Sequence, residues 1–84
     1  MKDVTIYSST VCGYCLQAKR LLAQRGIAPK DINVDFDSEL RLQMIQRTGR
    51  RTVPQIFIGE HHVGGFDDLA LLERSGKLDA LLDA

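Results

Sequence analysis

The stretch from residue 4 to residue 26 limits the fold more than any other part of the chain. Val4-Thr5-Ile6-Tyr7 mixes β-branched and aromatic residues and reads as a buried strand. Ser8-Ser9-Thr10 then supplies turn and N-cap chemistry. From Gly13 to Arg25 the apolar positions Cys15, Leu16, Ala18, Leu21 and Leu22 recur at helical spacing, and Gly26 can end the run as a left-handed residue. Pro29 marks the connecting turn, and a second strand follows from Asp31 to Asp35, with Ile32 and Val34 in alternation. Strand, helix and strand joined this closely call for a right-handed crossover, which makes the two strands parallel.

The remainder extends that unit. Ser38 is a natural N-cap for a helix over Glu39 to Arg47, which places Leu40, Met44 and Ile45 on one face and has Gly49 as its stop. Gln55 to Ile58 reads as a third strand and His61-His62-Val63 as a short fourth, joined as an antiparallel hairpin by the turn Gly59-Glu60. After Gly64-Gly65, the segment from Phe66 to Arg74 is helical with Leu69, Leu72 and Phe66 inward, and Lys77 to Leu82 adds a final turn or two. This order predicts an α/β protein: a three-layer α/β/α sandwich around a four-stranded mixed sheet. At 84 residues, the expectation is one domain over residues 1–84.

Eleven basic residues balance eleven acidic ones, and they are interspersed. That leaves no general electrostatic drive toward nucleic acid or an anionic membrane, so neither is expected as a partner. No apolar run approaches the roughly 20 residues of a membrane span. Met1-Lys2-Asp3 leads straight into the first strand without a signal peptide, so a cytoplasmic location is expected. The only two cysteines are too few for a disulfide scaffold, and their separation closes too short a loop to restrain the unfolded chain. Their role is therefore chemical.

Cys12-Gly13-Tyr14-Cys15 follows a strand and opens a helix, the setting in which C-x-x-C reads as a redox motif. Residues three apart share a helical face, so the sulfurs can meet, and the free N–H groups at the helix start favour thiolate over thiol at Cys12. Cys12 is thus the expected nucleophile and Cys15, one turn further in, the resolving partner. The competing reading is a zinc half-site completed by His61 and His62, but adjacent strand residues point to opposite faces and would not both reach one ion.

Cys12-Gly13-Tyr14-Cys15, Thr52-Val53-Pro54 and Gly64-Gly65-Phe66-Asp67-Asp68, in this order and at these separations, resemble the three signatures of the glutaredoxin family. The resemblance spans almost the whole chain. It implies the thioredoxin fold and a glutathione-dependent thiol–disulfide oxidoreductase that reduces glutathione-mixed and protein disulfides, its apo form a monomer. It further implies a cis bond before Pro54, against the alternative of an ordinary trans proline opening the third strand. Glutathione would lie in a groove formed by Tyr14, Thr52, Val53, Pro54, Gly65, Phe66, Asp67 and Asp68. Asp67 and Asp68 equally suit helix capping. Arg41 would meet the glycyl carboxylate, or else stand as a solvated surface charge.

Two positions depart from the family pattern. Ser9 stands where many relatives carry a lysine, removing a cation for which Arg51 is the candidate replacement. Gly13 replaces the proline common in dithiol members. Other residues at that position accompany some members that share a [2Fe-2S] cluster between two protomers, with a cysteine, here Cys12, and a glutathione from each. A cluster carrier or sensor is accordingly the alternative function. The apo enzyme is expected to hold no metal.

Overall fold

The computed structural model describes residues 1–83. Its elements are β1 (Val4–Ser8), α1 (Gly13–Gln24), β2 (Lys30–Asn33), α2 (Ser38–Thr48), β3 (Gln55–Ile58), β4 (His61–Gly64), α3 (Phe66–Arg74) and α4 (Leu78–Asp83). The four strands form one mixed sheet in the order β2-β1-β3-β4. β1 and β2 are parallel, with Tyr7 opposite Ile32, as the crossover demands. β1 and β3 are antiparallel, with Tyr7 opposite Gln55, and β3 and β4 form the expected hairpin, with a bulge between Ile56 and Phe57.

Strand periodicity divides the core between the two faces of the sheet. Val4, Ile6, Ile56 and Ile58 face one side and pack with Ala18 and Leu22 of α1, Leu69 of α3, and Leu78 and Leu82 of α4. Tyr7 and Phe57 alternate with them and face the other side, where Met44 of α2 and Val34 complete a smaller cluster. This is the three-layer arrangement of the thioredoxin fold. Tyr7 is fully buried, and its hydroxyl is satisfied: it donates to Gln43 Oε1 at 2.6 Å and accepts from Arg47 Nη1 at 2.9 Å. The Arg47 guanidinium also lies 3.9 Å from the centre of the Phe57 ring, so α2 is held to the sheet by aromatic as well as aliphatic contacts.

Four local expectations need correction. The N-cap of α1 comes from Cys12, whose sulfur accepts the Cys15 N–H at 3.1 Å, and not from the Ser8-Ser9-Thr10 run. Those three residues lie too far upstream: Ser8 ends β1, and Ser9 and Thr10 bond to the β2–α2 loop. The cap of α2 is Asp37, not Ser38, because the carboxylate reaches two amides at once, those of Glu39 and Leu40, each at 3.1 Å. Leu16 shares the apolar spacing of α1 but is half-exposed, since the buried face of that helix is set by Cys15, Ala18 and Leu22. β2 also ends at Asn33, although Val34 is buried and still donates its N–H to Ser8 O at 3.0 Å. Gly26 and Gly49 are both left-handed at the helix ends, as expected. Among the described residues, no helix is long and apolar enough to cross a membrane.

Leu22→Ala should lower stability by about 2–5 kcal/mol, because it opens a cavity in the larger cluster, whereas Leu16→Ala should stay within about 0.5 kcal/mol of the parent. Chemical denaturation of the two variants checks the difference.

Candidate active site

The antiparallel register of β1 on β3 brings the segment after β1 beside the segment before β3. Cys12 and Cys15 lie in the first and Thr52, Val53 and Pro54 in the second. The Val53–Pro54 bond is cis, and Cys12 Sγ is 3.9 Å from the Val53 carbonyl oxygen. The cysteines are joined in a disulfide, with their Cα atoms 5.2 Å apart. Their surroundings differ: Cys15 is 1% exposed, while Cys12 is only partly buried, so a molecule approaching the pair meets Cys12 first. In the reduced state the Cys15 N–H and the positive end of α1 favour negative charge on the Cys12 sulfur.

Val53, which stands next to Cys12, is part of the wall of a cavity of about 230 Å³ that the cysteines themselves do not line. The cavity is lined by Tyr14, Thr52, Val53, Pro54, Gly65, Phe66, Asp67 and Asp68, together with Arg50 and Gln55. Tyr14, largely exposed, stacks on Phe66 with ring centres 6.2 Å apart and planes 25° from parallel. The other end of the cavity is the start of α3, where Asp68 Oδ2 accepts the Gly65 N–H at 2.9 Å and pairs with Arg50 Nη1 at 3.3 Å. Asp68 is therefore a capping acid. Its carboxyl is held below the usual carboxylate range by the Gly65 amide and, against the opposing effect of burial, by Arg50. Gly64 is required here: its φ is +118°, and a Cβ would collide with the Asp68 carboxylate and crowd Arg50.

Of the residues singled out for the groove, Arg41 alone lies apart from this cavity. It is on α2, where it adds the smallest of the influences that keep the Asp35 carboxyl ionised. Asp35 accepts Ser9 Oγ–H at 2.5 Å and the Thr10 N–H at 2.8 Å, and Asn33 Nδ2 donates to Thr10 Oγ1 at 3.1 Å. Ser9 thus ties the loop before Cys12 to the β2–α2 loop. Arg51, the candidate replacement cation, does not line the cavity; its neighbour Arg50 does. Residue 50 carries no local pattern that distinguishes it from 51, so chain direction alone decides between them. Gln55 lines the cavity as well, and its sequence signal is a glutamine opening an otherwise apolar strand. His62 Nε2 is engaged with Gln55 Oε1 at 2.7 Å, and among the described residues no three His, Cys, Asp or Glu side chains gather as a metal-binding group.

A disulfide-forming pair at a helix start, one sulfur open and one covered, facing a cis-proline loop on this sheet order, defines a thiol–disulfide oxidoreductase of the thioredoxin fold. Comparison narrows the class. The glutaredoxin family model matches residues 4–63. A glutaredoxin of Pseudomonas aeruginosa is 52% identical over 84 residues, covering all of both chains. The solution structure of glutaredoxin from Brucella melitensis has 54% identity and a TM-score of 0.86, over 98% of this chain and 89% of the other. A buckwheat glutaredoxin–glutathione complex has 38% identity and a TM-score of 0.88, over 98% and 77%. The chain belongs to the glutaredoxin family, and its activity is glutathione-dependent thiol–disulfide oxidoreduction.

The Asp35 clasp makes a pH prediction. Hydrogen bonds from Ser9 and then Thr10 lower its carboxyl from 3.8 to about 2. A depressed acid contributes stability that is fully present above its unfolded value and lost as pH falls through the folded one. The melting temperature of Asp35→Asn should therefore lie below the parent's at pH 6, and the gap should close between roughly pH 4 and pH 2.

Proposed function

We propose that Cys12 is the nucleophile, Cys15 the resolving thiol, and the adjoining cavity the glutathione site. The observation that carries this reading is the contrast in exposure between the two sulfurs: Cys15 is covered and Cys12 open. Attack on an outside disulfide must start from the open one. The Cys12 thiolate attacks the glutathione sulfur of a mixed disulfide, a bond forms between Cys12 and glutathione, and the protein thiolate leaves and takes a proton from solvent. The thiolate of a second glutathione then attacks the glutathione sulfur held on Cys12. Glutathione disulfide departs, and Cys12 returns as thiolate. In sum one free glutathione is consumed: its sulfur is oxidised to the disulfide level, the protein sulfur is reduced to a thiol, and the glutathione carried by the mixed disulfide leaves as the other half of glutathione disulfide.

With a protein disulfide, Cys12 attacks one sulfur and expels the other. Cys15, deprotonated, then attacks Cys12 and expels the bound substrate thiolate, leaving the Cys12–Cys15 bridge seen here. Two glutathiones reopen it through a Cys12–glutathione intermediate.

The cavity's polar groups suit the tripeptide. The Val53 backbone flanks the reacting sulfur and can pair with an extended peptide as a sheet edge does. The start of α3 offers amides to the γ-glutamyl carboxylate, Asp67 and Asp68 face its ammonium group, and Tyr14 and Phe66 form an aromatic wall. In this reading Arg50, and not Arg51, supplies the cationic character of the cavity, and Arg41 lies too far from the lining to serve the glycyl carboxylate. The glutathione complex among the structural neighbours supports the same ligand. In this reading the partners are glutathionylated and disulfide-bonded proteins and the chain acts as a cytoplasmic monomer; the balanced charges argue against nucleic acid or an anionic membrane as a partner.

A shared cluster would take one thiolate and one glutathione from each of two protomers, and Cys12, the accessible sulfur, would supply the thiolate; the likeness to glutaredoxins favours the disulfide-exchange reading over it.

Cys15→Ser should retain reduction of a glutathionylated peptide and lose reduction of a protein disulfide, while Cys12→Ser should lose both. Coupled assays with glutathione and glutathione reductase make the comparison. Turnover surviving in Cys12→Ser would overturn the assignment.

A further inference from the structure

Gln55 is fully buried at the start of β3, one residue beyond the cis-proline. Its amide nitrogen donates to the Thr52 carbonyl at 3.0 Å and reaches the Thr52 hydroxyl at 3.3 Å. A carbonyl has no proton, so the nitrogen end of the amide must face Thr52 and the oxygen end must face away. What it faces is His62 on β4, with Nε2 at 2.7 Å from Gln55 Oε1. His62 therefore donates, and its neutral ring carries the proton on Nε2. The ring is held in turn by Phe57, 5.1 Å away between centres. Burial, and then Arg50, hold the imidazole below its ordinary ionisation range against the pull of Asp68, with His61 and Arg47 acting in the same sense as Arg50. At neutral pH the donor is a neutral imidazole.

These bonds run in one direction, from His62 to Gln55 to Thr52, and end on the loop whose next residue, Val53, stands beside Cys12. His62 does not line the cavity, whereas Gln55, Thr52 and Val53 do. We propose that His62 is a positioning residue for glutathione: through Gln55 it fixes Thr52, and with it the Val53 backbone against which the tripeptide lies. The inference rests on the reading of the cavity as the glutathione site. Removing the His62 donor leaves a buried amide oxygen unpaired and the Gln55 side chain free to turn, and the loop then presents Val53 less well. The Cys12 sulfur keeps its own cap from Cys15, so its intrinsic reactivity should not change.

The test uses the full chain with a glutathionylated peptide as substrate. His62→Leu should raise KM about tenfold, the size of one buried hydrogen bond, with kcat changed by no more than about twofold. His62→Gln, whose amide can donate to the same oxygen, should recover most of that loss. Gln55→Met should match His62→Leu, and the double variant should fall no further, because both changes break one chain of bonds. Alkylation of reduced Cys12 by iodoacetamide should proceed at the parent rate in His62→Leu. If that variant fails to fold, Gln55→Met carries the KM measurement alone, and an unchanged KM there overturns the proposal. It is equally overturned by a parent-like KM in His62→Leu, by His62→Gln as impaired as Leu, by losses that multiply in the double variant, or by slowed alkylation. A parent protein inactive on the glutathionylated peptide would instead sink the reading of the cavity, and does so before any variant is made.

Discussion

The antiparallel pairing of β1 with β3 governs the active end of the molecule. Tyr7 lies opposite Gln55, so the chain leaving β1 and the chain entering β3 meet at the same edge of the sheet. Cys12 follows the first and Val53 precedes the second, and their closeness is a matter of register. A slip of one residue would turn Ile6 and Ile56 out of the larger core and Tyr7 and Phe57 out of the smaller one, so burial on both faces resists it. Hydrophobic alternation along two short strands thereby fixes a sulfur beside a peptide group it must work with, though neither strand carries a reactive atom.

Electrostatic organisation is local by comparison. The chain has no net charge at neutral pH, yet each functional loop carries its own pairing. Asp35 fastens the loop before Cys12, Asp68 fastens the Gly64-Gly65 turn to α3, and Cys12 itself closes the start of α1. All three are side-chain acceptors meeting backbone amides that would otherwise lack partners, and two of them carry a full charge. Such bonds are among the stronger ones available near a surface.

Strand and helix placement was legible in the sequence because burial imposes a period. Val4 and Ile6, Ile56 and Ile58, and Ala18 and Leu22 declare their elements without outside help. The cysteine pair was legible because its chemistry demands a helix start. Caps were harder: Ser38 and Asp37 are adjacent, and only the reach of two amides to one carboxylate separates them. Charge partners were harder still. Arg41 and Arg51 carry the charge the groove calls for, but the fold decides where an arginine's long side chain ends, and neither lines the cavity, whereas Arg50 does and meets Asp68 there. Gln55 and His62 are seven residues apart on paired strands, and the contact needs both the hairpin and its bulge. No periodicity announces it.

The division of the core into two clusters has a consequence for how the protein comes apart. β1 and β3 form the wall between them, each supplying side chains to both. Neither helical layer can peel away without stripping one face of the same two strands, and the exposed strands would then hold the opposite layer less well. Loss of one side is transmitted to the other through a shared partition only one residue thick, so the molecule should melt in a single cooperative event rather than layer by layer.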